Sequence, residues 1–241
     1  MGTLNNYSVT SLANAVRSTL LSAPEISRLS HLRRSTGLFA QGQSADAIFF
    51  IEDGLVKLTR SSTAGGRIIL TIRGGGDLAG EEALLQEPSI YYTDAEVLTT
   101  ATIYRIPRAV MSKVLAGQAQ FTAEIISYLV SRRLALAEKV ELLCLRDVEY
   151  RILHYLAELS RLVAPSEDGE GYQIPITQLE LADLIGATRE TTSTTLNQLE
   201  RRGLLRLSRR MLTIPSPALL ASEAAARQAN GTSRAAAPET A

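Results

Sequence analysis

The 241-residue sequence predicts an α+β chain with an N-terminal antiparallel β-roll or sandwich, one long helix, and a C-terminal helix-turn-helix followed by a wing. Three observations predict it. Short β-branched or aromatic runs fenced by glycine recur roughly every ten residues between Gly37 and Ile106, which is the spacing of an antiparallel all-β unit. From Gln118 to Arg146 there is neither proline nor glycine, as a single long helix requires. Residues 177–214 read as helix, tight turn, helix and two short strands.

Composition sets the frame for these elements. An apolar content of 45% supports two domains with real cores. The formal net charge is zero, so any charged partner must be met by a local patch and not by the field of the whole chain. The single cysteine, Cys144, excludes a disulfide framework, a four-thiolate cluster or a zinc ribbon within one chain, and fits a reducing compartment. Residues 1–21 lack a basic segment leading into an apolar one, and no run reaches the roughly 18 apolar residues of a membrane span. A soluble cytoplasmic protein with no membrane partner is expected. There is no nucleophile paired with a base, and no cluster of metal ligands, so neither catalysis nor a metal site is expected.

In chain order, Leu12, Val16, Leu20, Leu21, Ile26 and Leu29 suggest two short helices broken near Ser22 and Pro24. The runs "AIFFIEDG", "LVKLTRS", "RIILTIRGGG" and "ATIYRIP" are strands, and Pro107 ends the sheet before a short helix at 108–116. Residues 1–117 then form the helical entry and roll. The long helix, 118–146, places Leu129, Leu136 and Leu143 seven residues apart, with Ile126, Arg133 and Val140 at the complementary offset. This is the seam of a two-chain coiled coil, about 43 Å long, with Ile126, Leu129, Leu136, Val140 and Leu143 in the dimer interface. Arg133 is a charge on that apolar seam. Asp147 is a helix cap and hinge opening the third region, 147–217. The alanine-rich residues 218–241 read as a disordered tail.

The most specific signal lies at 177–214. Leu181, Leu184 and Ile185 face inward on a short helix that Gly186 ends, and Thr188 caps the next. That second helix turns Leu196 and Leu199 inward and presents Arg189, Glu190, Ser193, Thr194 and Asn197 outward. An arginine suits guanine O6 and N7, a glutamate accepts from cytosine N4, and a threonine meets a thymine methyl or a phosphate. Arg189, Glu190 and Thr194 are the candidate base readers, and Thr188, Thr191, Ser193, Arg209 and Arg210 the backbone contacts. Between Thr188 and Ile214 six arginines stand against two glutamates, a basic face in a neutral chain. The expected partner is double-stranded DNA.

These residues carry a resemblance. "TQLELADLIGATRETTSTTLNQLERRGLL", preceded by a glycine-punctuated roll and the helix "SRRLALAEKVELLCLRDVEYRI", resembles the CRP/FNR family of bacterial transcription regulators over nearly all the chain to about residue 215. The resemblance implies a cyclic-nucleotide-binding-like roll, a long dimerisation helix closing the effector pocket, and a winged helix-turn-helix reading a palindrome as a homodimer. RNA polymerase is the implied partner of an activator. Arg189 and Glu190 fall on the positions that read a guanine and a cytosine, while Thr194 stands where cyclic-AMP-responsive members have an arginine.

In the implied effector pocket, Gly80 and Glu81 match the phosphate turn and the ribose glutamate, and Glu82, Ala83 and Leu84 the short helix after it. The phosphate arginine is missing. Tyr92 or Thr93 takes its place, and Asp94 that of the following serine. Leu136 and Ala137 stand where the family's adenine-binding Thr-Ser pair would be. Between Gly74 and Tyr104 there are six acids, Asp77, Glu81, Glu82, Glu87, Asp94 and Glu96, and no lysine or arginine. A carboxylate beside a phosphate repels it, so cyclic AMP is not expected to bind. Two alternatives stay open for Arg133: it pairs with Glu81 or Asp94 in place of a ligand, or it supplies the cation for a different small effector. The competing functional classes are a regulator activated by a cyclic nucleotide in the ordinary way, and a ligand-binding or scaffold protein that does not touch DNA.

Overall fold

The computed structural model describes residues 2–235 apart from Ser22, Glu87 and Asp168, so the expectations for Glu87 and for 236–241 lie outside the described residues. The chain divides into two compact units, Met1–Val140 and Glu141–Ala241.

The first unit opens with helix α1 (Gly2–Thr19), where Leu12 and Val16 repeat at a four-residue spacing that Leu20 continues, all three fully buried. Strands β1 (Ser27–Leu32), β2 (Gly37–Phe39), β3 (Ala47–Asp53), β4 (Val56–Ser61), β5 (Arg67–Arg73) and β6 (Leu78–Ala79) follow. After a short 3-10 turn at Glu81–Leu84 come β7 (Asp94–Val97) and β8 (Ala101–Pro107). They make two four-stranded antiparallel sheets, β1-β8-β3-β6 and β2-β7-β4-β5. β3 is central in the first, and its Ala47–Ile51 stretch is wholly buried, which explains why it reads as a continuous apolar run and not as an alternation. Helix α2 (Arg108–Gly117) follows the last strand, as expected.

Helix α3 (Ala119–Leu145) lays Phe121, Ile125 and Tyr128 on the core of the roll, at the spacing of one helical face. Leu129 also packs against that core, which removes it from the expected seam. Ile126, Leu136 and Val140 are more than half exposed, and Arg133 is exposed.

The second unit continues with α4 (Val148–Ser160), β9 (Tyr172–Ile174), α5 (Gln178–Ile185), α6 (Arg189–Arg201), β10 (Arg206–Ser208), β11 (Met211–Ile214) and α7 (Pro217–Ala235). β10, β11 and β9 form the three-stranded wing sheet, in that order.

Two expectations from the sequence are corrected here. Residues 27–32 are an edge strand and not a second helix. Leu29 and Leu32 are three apart, a helical spacing, but Leu29 pairs with Ile103 and Leu32 with Ala101, three steps on β1 against two on β8. A bulge absorbs the extra residue at His31, whose φ is 56°. The second correction is the tail. Residues 217–235 are a helix whose Leu220 and Ala224 are buried, with the Leu219 amide donating to Ser216 Oγ at 3.3 Å and Pro217 at the first helical position. Alanine has the highest intrinsic helix propensity, so an alanine-rich segment with one apolar stripe folds once it has a surface to cover.

Candidate effector site and nucleic-acid interface

In the roll, Gly80 adopts φ 81°, the left-handed conformation needed to turn the chain into the Glu81–Leu84 helical turn. A Cβ there would lie 2.9 Å from the Tyr91 ring, because Tyr91 is packed over the glycine. Its ring stacks on Phe39 with centroids 3.9 Å apart, and its hydroxyl donates to the Ala47 carbonyl at 2.7 Å. The glycine is therefore pressed against the aromatic core of the roll, which leaves no room for a side chain at this position.

The carboxylate beside it is engaged as well. Arg73, the last residue of β5, reaches Glu81 Oε1 at 3.2 Å and Asp77 Oδ1 at 3.6 Å. The contact to Glu81 is made by Nη2, and Nη1, which faces Asp77, also donates to the Tyr128 hydroxyl at 2.7 Å. Arg132 pairs with the same Asp77 oxygen at 3.2 Å and lies 4.9 Å from the centre of the Tyr128 ring. The Tyr128 hydroxyl also accepts from the Leu78 amide at 3.0 Å, and stands 3.2 Å from both Asp77 Oδ1 and the Leu78 carbonyl, to either of which it can donate.

Two cations thus face two carboxylates around one phenol. The Arg73 and Asp77 side chains are only 8% and 6% exposed. Burial works against the Arg73 charge, but Tyr128, Glu81 and Asp77 more than offset it and hold the guanidinium protonated. Burial likewise raises the Tyr128 phenol well above its ordinary value, and raises Glu81 against the opposing pull of Arg73.

The sequence reading missed Arg73 because it sits one residue outside the acidic window, and it assigned the cation to the wrong arginine of a pair. Arg133 reaches neither Glu81 nor Asp94: it is exposed, while its neighbour Arg132, about 100° round the helix, points into the cluster. Leu136 and Ala137 are exposed on α3. Tyr92 is 53% exposed with Arg60 over its ring, its amide bonded to Glu82, while Thr93 is buried and Asp94 accepts from the Gln41 amide at 2.9 Å. Two further buried cations went unnoticed: Lys57 of β4, 6% exposed, pairs with Glu96 at 2.9 Å, and Lys139 of α3, 5% exposed, donates to the Ile69 carbonyl at 2.8 Å, where burial lowers its pKa to about 8.

The second unit carries the other site. A capping box between Thr177 and Glu180 starts α5, and Gly186, with φ 62°, ends it. A Cβ on Gly186 would meet Leu143 Cδ2 at 2.8 Å, so the turn is tight on both its conformation and its neighbours. This half-buried Leu143 is the second expected seam residue that packs within its own chain. Arg151 of α4 donates to the Ile185 carbonyl at 2.7 Å, satisfying the last turn of α5.

Thr188 caps α6 by accepting from the Thr191 amide at 3.2 Å. Thr192, Thr195, Leu196 and Leu199 are buried, which leaves Arg189, Glu190, Thr191, Thr194, Asn197 and Gln198 exposed and Ser193 half-exposed. Thr191 also shares a hydroxyl contact of 3.0 Å with Thr188. Arg209 and Arg210 stand at the tip of the β10–β11 hairpin. Of the six arginines, Arg206 is paired with Glu170 and Arg202 with Glu149 and Glu223. Arg189, Arg201, Arg209 and Arg210 are exposed and form no ion pair among the described residues. Glu200, counted against them in the sequence, is turned inward to accept from the Leu207 amide at 2.7 Å. The basic face is made by four solvent-facing guanidiniums.

A roll with a glycine-led turn, joined to a helix-turn-helix with a three-stranded wing, defines a class, and comparison with known proteins agrees with it. Residues 29–118 match the model of a cyclic nucleotide-binding domain, and residues 150–223 that of a Crp-like helix-turn-helix domain. The chain belongs to the CRP/FNR family of transcription regulators. It is 27% identical over 192 residues to the CRP-like cAMP-activated global transcriptional regulator of Mycobacterium tuberculosis, covering 79% of this chain and 85% of that one. It is 25% identical over 198 residues to the global nitrogen regulator of Synechococcus elongatus, covering 81% and 89%. Among solved structures, a CRP-family transcriptional regulator from Thermus thermophilus superposes with a TM-score of 0.70 at 25% identity, over 83% of this chain and 96% of that one. The c-di-GMP responsive global regulator CLP of Xanthomonas campestris shares the fold, with a TM-score of 0.70 at 23% identity over 84% and 99% of the two chains. Among the described residues no helix is long and apolar enough to cross a membrane.

Proposed function

We propose that the protein is a cytoplasmic, homodimeric transcription regulator that reads a palindromic DNA site and whose effector cassette is held by its own side chains. The observation that carries this reading is the exposed first turn of α6, capped by Thr188, which presents Arg189 and Glu190 without an ion pair among the described residues. Placed in a major groove, Arg189 donates to guanine, Glu190 accepts from cytosine, and Thr194 meets a thymine methyl or a phosphate. Thr191, Ser193, Arg209 and Arg210 serve the backbone on either side.

Dimerisation is supported by a stripe on α3. Ile126, Val130, Arg133, Ala137 and Val140 are all exposed at alternating spacings of four and three residues, and Cys144 continues the series. A second copy of the same helix is the occupant this stripe fits, since a heptad seam buries against its like. The expected seam of leucines is thereby redrawn: Leu129 and Leu143 pack at home, and their neighbours Val130 and Cys144 take the outward positions. Two recognition helices then meet half-sites about one helical turn, or 34 Å, apart.

Effector independence is supported by the Arg73–Glu81 pair, which engages the carboxylate a ribose would need. A second reading, activation by a cyclic nucleotide, draws on the retained Gly80–Glu81 turn and on the matched domain; it requires Arg73 to leave Glu81. As an activator the protein would also meet RNA polymerase. The test is selection of binding sites from random duplex DNA by the purified protein, followed by affinity against salt. A palindrome with a G·C pair at each inner contact, and log affinity falling steeply with log salt, is expected. Retention of no sequence above background would reject the reading.

A further inference from the structure

The winged unit holds a chain of charges that the DNA-reading face does not use. Arg202, the C-cap of α6, donates to Glu149 Oε1 at 2.7 Å and also pairs with Glu223 of α7. Glu149 lies in the first turn of α4, and its second oxygen is held by Arg227 of α7 at 3.1 Å. Arg227 in turn grips Asp147 with Nε and Nη2, each 2.9 Å from Oδ2. Asp147 is the cap of α4, accepting from the Tyr150 amide at 2.8 Å, and stands where the long helix α3 hands over to α4. Three acids and two arginines therefore alternate along one path: Asp147, Arg227, Glu149, Arg202, Glu223.

The path joins three places. It begins at the α3–α4 junction, crosses α7 and the first turn of α4, reaches the C-cap of the recognition helix at Arg202, and returns to α7 at Glu223. Leu220 and Ala224 bury the same side of α7 from which Glu223 and Arg227 reach, so the helix is fixed by packing before its charges are used. Glu149 is only 15% exposed and is clasped from both sides, unlike an isolated surface pair, whose contribution solvent largely erases. Asp147 accepts from Arg227 and from a backbone amide together; burial opposes its charge, but these bonds prevail and depress its pKa. Three of the five residues, Asp147, Glu149 and Arg227, lie outside the matched helix-turn-helix domain, on both flanks of it.

We infer that α7 is a strap that sets the position of the recognition helix relative to the α3–α4 junction, with Glu223 and Arg227 as positioning residues for DNA reading. The inference rests on the DNA-binding reading given above. Arg202 is the handle. It holds the end of α6 to α4 through Glu149 and to α7 through Glu223, and Arg227 locks the shared glutamate and the α4 cap to the same helix. Loosening the strap lets the recognition helix shift against the groove, which harms base contacts at fixed geometry more than phosphate contacts.

This assigns a sign that electrostatics alone would reverse. Glu223→Gln removes a negative charge from a DNA-binding unit, and by long-range attraction alone it should leave DNA binding as strong or make it stronger. The strap requires weaker reading of the selected site. The experiment measures affinity of the full-length protein for its selected palindrome and for a scrambled duplex at one salt concentration, for the unaltered chain, Glu223→Gln, Arg227→Gln and Arg227→Lys. Expected is a fall of about fivefold in the palindrome-to-scrambled ratio for each glutamine variant, with scrambled-duplex affinity kept or raised for Glu223→Gln, and partial recovery in Arg227→Lys. In an Arg202→Gln background Glu223→Gln should add nothing further to the loss. A ratio that is unchanged or raised in both glutamine variants, while the unaltered protein prefers its palindrome, overturns the strap alone. No preference in the unaltered protein overturns the DNA-binding reading and the strap with it.

Discussion

In the roll, Arg73 and Arg132 lie among Asp77, Glu81 and Tyr128, at 8% and 15% side-chain exposure; in the winged unit Arg189, Arg201, Arg209 and Arg210 stand in solvent. The residue types are the same and the surroundings decide their use. A buried guanidinium loses its hydration and is tolerable only with carboxylates and hydroxyls around it, so Arg73 and Arg132 are committed to the fold. An exposed guanidinium keeps its hydration until a phosphate or a guanine replaces it, so the arginines of α6 and the wing remain available. One cluster is satisfied within the roll, and the other leaves four guanidiniums facing solvent.

Four variants or conditions break or sharpen that contrast, in descending order of effect. Arg73→Leu leaves the largely buried Glu81 without its cation, so that two carboxylates face Arg132 alone; breaking one member of a buried ion cluster costs roughly 3–5 kcal/mol, which urea unfolding should register as a lowered midpoint. An unchanged midpoint would mean that the cluster is not holding the roll.

Lys139 is next. It titrates near 8 in the fold against 10.5 when unfolded, so between those values the unfolded chain binds the additional proton. Stability should therefore rise as pH climbs through that window, by up to about 3 kcal/mol, with the full penalty present below pH 8. Lys139→Met should remove this rise, and an identical pH profile in both proteins would contradict the assignment.

Arg189→Ala should weaken binding to the selected site by about 1–3 kcal/mol and relax its guanine preference, with the melting temperature unmoved. The smallest effect is Arg133→Ala. Arg133 lies outside the cluster and on the stripe proposed for the dimer, so with both proteins held at the same dimer-saturating concentration its loss should alter unfolding of the roll by less than about 0.5 kcal/mol. A loss comparable to that of Arg73→Leu would return Arg133 to the cassette.

The winged unit was largely legible because its signals are local. Thr177, Gly186 and Thr188 act within a few residues of their partners, and the buried spacing of Leu196 and Leu199 fixes the outward face of α6. The strands β3, β4, β5 and β8 were legible for the same reason, as apolar runs between turns. The cassette was not, because its closure depends on contacts between residues far apart in the chain. Tyr128 bonds Asp77 and Leu78 across some fifty positions, and no periodicity reveals which arginine such a cluster takes. Between Arg132 and Arg133 the decision is one residue of helical rotation. β1 was hidden by a bulge that imitates helical spacing, and α7 by a composition that suits both a loose tail and a good helix.

The proposed replacement of a cyclic nucleotide by Arg73 at Glu81 makes DNA binding independent of nucleotide. It is tested most directly by the affinity of the purified protein for its selected palindrome, measured alone and with saturating cyclic AMP, cyclic GMP or cyclic di-GMP. The account predicts the same tight binding in all four conditions, and a rise of about tenfold or more with any one of the nucleotides would contradict it.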